Sequence, residues 1–97
     1  MTDKFKFPQY EVFDDENAGK NIENAIFINS FYTEDGIQLE RLYISLIHGQ
    51  DWKKVEQALI TGKDGRPYDE ITINTKEGKE FKYYFCIAQF FGKYAEL

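Results

Sequence analysis

Apolar residues alternate with polar ones most regularly near the C-terminal end of the chain. Ile71 and Ile73 are separated by Thr72. After Lys76-Glu77-Gly78-Lys79, Phe81, Tyr83, Phe85 and Ile87 take every second position. A two-residue period is the signature of a strand with one face in a core. The pattern predicts strands over 70–75 and 80–91, paired antiparallel as a hairpin around Glu77-Gly78. The apolar residues Phe5, Phe7, Tyr10 and Val12 predict a short first strand, held to a sheet edge or a bulge by Pro8. In the polar run 14–21, Asp14 or Asp15 is placed to cap a helical turn reaching Glu23 or Asn24, with Ile22 turned inward.

Residues 25–47 fit two patterns. In one, 25–33 and 37–47 are strands joined by Glu34-Asp35-Gly36, since Asp-Gly between apolar runs favours a hairpin. The second strand then needs a bulge near Glu40-Arg41, where the alternation changes phase. In the other, Asp35 caps a helix. Leu39, Leu42, Tyr43, Leu46 and Ile47 form its inner stripe, Ile44 points the wrong way, and His48-Gly49 closes it. The aromatic and β-branched residues of 25–33 favour the hairpin, and the helix stays open as the alternative. Asp51 begins what reads as a second helix, Trp52 to about Thr61, with Trp52, Val55 and Leu59 inward and Gly62 at its end. Trp52 is then expected in the core. Gly62–Pro67 is a loop.

Strands and helices do not alternate as crossover units. The expected fold is therefore α+β: a small antiparallel sheet of four or five strands, with the C-terminal hairpin, packed against one or two helices in a single domain over 1–97. Ninety-seven residues support one core. Seventeen aromatic residues require that core to be built largely from rings.

Charge adds a functional hint. The chain carries -5 overall, yet residues 49–97 are balanced and the excess lies in the first half. Between Glu11 and Glu40 eight acids face Lys20 alone. Such a field repels nucleic acid and anionic lipid and attracts a basic protein. No apolar run approaches a membrane span, and the first eight residues do not resemble a signal peptide, so a cytoplasmic location is expected.

The candidate chemistry is sparse. Cys86, the single cysteine, lies in an apolar strand with no adjacent base, which suits a structural thiol. His48 is the single histidine, and no nucleophile elbow or phosphate loop accompanies it. One histidine and one cysteine do not build a transition-metal site, and a calcium loop begun at Asp14 fails at Ala18 and Ala25. Gly62-Lys63-Asp64-Gly65 matches a bare G-x-x-G, but a proline and a strand follow it where a nucleic-acid-binding loop of that kind leads into a helix. Tyr83-Tyr84 among Lys76, Lys79 and Lys82 reads as core rather than as a base-stacking platform. The expectation is a non-enzymatic interaction module without cofactor or metal, of inhibitor, immunity or adaptor type, binding a basic partner. Its densest candidate surface is Tyr32, Glu34 and Asp35, with Asp14, Asp15 and Glu16 as a second patch. The alternative is a ligand-binding or minor enzymatic domain with an aromatic pocket, completed at a dimer interface. A homodimer through an edge strand or the Phe90–Tyr94 tail is also expected, because leftover rings and open edges need cover.

Overall fold

The computed structural model describes residues 9–12 and 15–93. Strand β1 (Tyr10–Glu11) leads through two 3₁₀ turns, Asp15–Asn17 and Ile22–Asn24, to β2 (Ile26–Ile28). Helix α1 (Thr33–His48) follows, then β3 (Trp52–Thr61), β4 (Pro67–Thr75) and β5 (Glu80–Cys86). The five strands form one mixed sheet in the order β1-β2-β5-β4-β3. The class is α+β, as expected, with one α-helix among the described residues. The sheet is not wholly antiparallel: β2 runs parallel to β5, with Ile26 beside Phe85 and Phe27 beside Cys86. The long excursion from β2 through α1, β3 and β4 returns the chain to β2 in the same direction, which short connections cannot do.

Residues 33–48 are helical, so a second strand over 37–47 does not exist. Its intended partner is only three residues long, and Asp35-Gly36 lies inside the first helical turns rather than at a hairpin tip. The inner face also differs from the stripe read in the sequence. Gly36, Glu40 and Ile44 are the buried residues of α1. Ile44 packs with Ile26, Ile28, Ile71, Ile73, Phe85, Ile87 and Phe90 in the core. Of the stripe assigned inward by spacing, Leu39 and Tyr43 are half-buried against the core, whereas Leu42, Leu46 and Ile47 are 49%, 71% and 52% exposed.

The 52–61 segment is a strand, not a helix. Its helix-forming residues are overridden by the open edge of β4, which pairs with it from Trp52↔Thr75 to Thr61↔Pro67. The register shifts between Lys54 and Glu56, and this bulge spreads Trp52, Val55 and Leu59 into a helix-like spacing. Gly62 closes the turn by donating its N–H to Arg66 O, while Asp64 Oδ1 accepts from Arg66 N–H. Trp52 is half-buried on β3 rather than central in the core. Its indole Nε1 donates to Ser45 Oγ at 3.0 Å, and the Arg41 guanidinium lies over its ring at 5.1 Å.

Strands β4 and β5 pair antiparallel from Tyr68↔Cys86 to Asn74↔Glu80. The last strand ends at Cys86 instead of Phe91, because residues 88–92 turn back toward the start of α1. Thr33 N–H donates to Lys93 O and Thr33 Oγ1 to Phe90 O. Phe90 is therefore buried, not part of an exposed tail, although Phe91 stays half-exposed. Among the described residues the N-terminal strand comprises Tyr10–Glu11, at one edge of the sheet; Phe5, Phe7 and Pro8 lie outside the described residues.

Gly36 lets the helix approach this turn. A Cβ there would stand 2.3 Å from the Phe90 ring. Gly→Ala inside a helix ordinarily stabilises by about 1 kcal/mol. Here Gly36→Ala is expected to destabilise by about 1–3 kcal/mol in denaturant melts, since the rigid ring must move. A stabilised variant would show that α1 does not seat against Phe90.

Candidate partner-binding surface

Helix α1 carries two apolar faces, because the core takes one and leaves the other. Gly36, Glu40 and Ile44 lie on the sheet side. Leu42 and Leu46 are exposed on another flank, in line at three- and four-residue steps with Leu39, which is half-buried against the core. Toward β1 and β2 the stripe borders an open groove of about 620 Å³. Gln9, Asn29 and Ser30 form one wall, Gln38, Leu39 and Leu42 the other, and Phe31, Tyr32 and Asp35 close its end.

The local sequence explains why rings stand at that end. Ser30 is buried and its hydroxyl donates to Tyr32 O, so the chain turns at Phe31 before the helix starts. Tyr32 occupies the N-cap position in extended conformation and supplies no side-chain cap. The helix start is instead held by Thr33 through Phe90 and Lys93, which frees the neighbouring rings from a structural task. Phe31 is 70% exposed and Tyr32 44%.

Of the residues expected at the site, Tyr32 and Asp35 line the groove, and Glu34 is exposed beside them in the same first helical turn. Carboxylates there are favoured by the helix dipole. Glu11 adds an exposed acid on β1, two residues beyond the groove-lining Gln9. Asp15 and the exposed Glu16 belong to the first 3₁₀ turn, which contributes no residue to the groove. Asp14 lies outside the described residues. Sequence reasoning missed Phe31, Leu42 and Leu46. The signal for Leu42 and Leu46 was present in the helical spacing of 39–47 but was assigned to the core, and Phe31 was read as part of a strand over 25–33.

The groups considered for chemistry fall elsewhere. Cys86 is buried and free of disulfide. His48 Nε2 shares a 2.6 Å hydrogen bond with the Tyr83 hydroxyl, and its ring lies 4.6 Å from Phe81, so the imidazole anchors the helix end on β5. Among the described residues, no group of three His, Cys, Asp or Glu is placed to hold a metal ion, and no helix is long and apolar enough to cross a membrane. The aromatic residues Tyr10, Tyr43, Tyr83 and Phe85 meet edge-to-face through Tyr43, and thereby fill the space between helix and sheet.

One carboxyl pair is buried. Glu40, 2% exposed, reaches from α1 to Asp69 on β4, and neither residue lines the groove. Burial, with the Asp69 hydrogen bond and charge, pushes the Glu40 carboxyl up to about 10. The protonated acid therefore serves as a hydrogen-bond donor beneath the helix.

Compared with protein-family models, with curated proteins and with solved structures, the chain finds no match.

Glu40 makes stability depend on pH in a definite direction. Unfolded, its carboxyl ionises near 4.5; folded, it keeps its proton to about 10. Between those limits only the unfolded chain loses the proton, so stability from this group falls as pH rises. Glu40→Gln retains a donor for Asp69 without an acidic proton. The variant is expected to be more stable than wild type by about 1–3 kcal/mol at pH 7, with the difference shrinking toward pH 4.5. Urea melts across that range check it; equal slopes for the two proteins would remove the proton from the account.

Proposed function

We propose that the protein is a non-enzymatic interaction module whose α1 outer stripe and adjoining groove receive a basic amphipathic segment of a partner protein. The observation that carries the reading is the orientation of α1. An exposed apolar stripe, Leu42 and Leu46, continues from Leu39, which is half-buried against the core, and ends at two exposed rings and two carboxylates. Exposed apolar residues scattered singly are ordinary on protein surfaces, but a contiguous stripe rimmed by polar groups marks an interaction surface. Aromatic rings supply contact area and carboxylates supply steering. The acidic excess between Glu11 and Glu40 supports a cationic partner over nucleic acid or anionic lipid.

A helix laid along a groove of this kind anchors through residues spaced three and four apart. Its apolar side would cover Leu42 and Leu46, and its lysines or arginines would meet Glu34 and Asp35. Inhibitor, immunity and adaptor proteins all work by such occupation of a partner surface, without chemistry of their own.

The test uses a synthetic amphipathic Lys/Leu helix as probe. Wild type is expected to bind it with an association rate that falls steeply with salt. Glu34→Gln with Asp35→Asn should slow association about tenfold or more and flatten the salt dependence, while costing at most about 1 kcal/mol of stability from the helix-dipole contribution. Leu42→Ser with Leu46→Ser should weaken binding chiefly through faster dissociation. A probe that binds all three proteins alike would show that its site is not this stripe.

A further inference from the structure

The far edge of the sheet carries a second surface, independent of the groove. Among the described residues, strand β3 pairs with β4 on one side only, and its other side is the edge of the sheet. Gly62 N–H donates to Arg66 O, and Ile87 N–H donates to Pro67 O. These two bonds fix which backbone groups point where. Along 56–62, even-numbered residues of β3 bond inward to β4, so Gln57, Leu59 and Thr61 direct their N–H and C=O groups outward.

The two halves of this edge differ. Its first half holds Lys53, Lys54 and the bulge, devices that discourage pairing. Its second half, Gln57-Ala58-Leu59-Ile60-Thr61, is regular, uncharged and free of proline. Leu59, 55% exposed, stands opposite Asp69 and so projects on the helix-bearing face. Edge strands that avoid pairing place charge or proline at such positions, and this one places leucine and isoleucine.

We infer that a second copy of this chain pairs with β3 antiparallel about a two-fold axis at Leu59. The edge is self-complementary in that register. Leu59 meets Leu59 of the other copy, Gln57 meets Thr61 and Ala58 meets Ile60, so outward-facing residues pair only with outward-facing residues. Each such pair exchanges two main-chain hydrogen bonds. Charges agree as well. The strand continues so that Glu56 approaches the Gly62-Lys63 end of the second copy, while the lysines of the first half stay clear of each other. The two-fold is perpendicular to the sheet, so five strands become ten and both α1 helices lie on the same face. Arg41 and Ser45 contact Trp52, which puts this side of α1 toward β3. Ile37, one turn before Arg41 and exposed, then faces the joined leucines across the seam. A different extended peptide added to the same edge is the competing occupant.

Sedimentation equilibrium and cysteine cross-linking test the inference. Wild type is expected to reach a dimer in the micromolar to high-micromolar range, and Leu59→Lys to raise the dissociation constant about tenfold or more by setting like charges opposite each other. Leu59 is exposed, so Leu59→Lys folds unless the edge is misplaced; far-ultraviolet circular dichroism checks this. In a Cys86→Ala background, Leu59→Cys should form a disulfide-linked dimer under mild oxidation, because directly opposed residues have Cα atoms about 5.5 Å apart. Val55→Cys, equally exposed but far from the axis, should not. Wild type that remains a monomer at high-micromolar concentration, a Leu59→Lys variant that dimerises as wild type does, or equal cross-linking at both positions would each overturn the inference. The Lys/Leu probe should bind Leu59→Lys as it binds wild type, since the groove lies on the other side of α1.

Discussion

Among the described residues one sixteen-residue helix lies over a five-stranded sheet, and much of what the protein exposes follows from that mismatch of widths. Five strands at about 4.8 Å spacing make a face roughly 19 Å across, whereas a helix with its side chains covers about 10–12 Å. The helix takes the middle. Ile44 fills the centre of the core with Ile73 and Phe85, Gly36 meets Phe90, and Tyr43 closes the gap toward Tyr10. Beyond that width β3 is left largely uncovered by the described residues, with Val55 and Leu59 more than half exposed. On the other flank of the helix, Leu42 and Leu46 have no layer above them among the described residues.

Burial of Glu40 belongs to the same constraint. The inner stripe of α1 must pass over Asp69 on β4, and a buried ionised pair of carboxylates would be prohibitively costly. The solution is a neutral acid donating to its neighbour, which trades stability at neutral pH for a specific helix position. His48 at the helix end and Thr33 at its start add two further anchors, on Tyr83 and on the 90–93 turn. The helix is thereby fixed along its length, with its outer leucines held in one line rather than free to roll inward.

Legibility of the fold followed burial. Ile71, Ile73, Tyr83 and Phe85 alternate cleanly because one face of their strands meets the helix. The α+β class was readable from that pattern together with the absence of crossover units. Strand β3 was not, since an edge strand with a bulge has no consistent inner face and its lysines, glutamate and glutamine imitate a helix surface. The parallel β2–β5 contact joins residues about sixty positions apart and leaves no local trace. The outer stripe was visible as a period and misassigned as to side, because spacing alone does not say which of two apolar faces meets the sheet. Tyr32, Glu34 and Asp35 were found from composition and charge. Their placement at a helix start rather than a hairpin tip came only with the tertiary contacts of Thr33.

Core and candidate surface alike depend on which side of α1 faces the sheet, and methyl resonances report that directly. In a sample with labelled Ile and Leu methyl groups, a soluble nitroxide broadens the signals of exposed side chains. The Leu42 and Leu46 methyls should be strongly broadened and the Ile44 methyl protected. A protected Leu42 and Leu46 with a broadened Ile44 would mean that the helix packs through its leucine stripe, and both the core and the proposed binding surface would have to be reassigned.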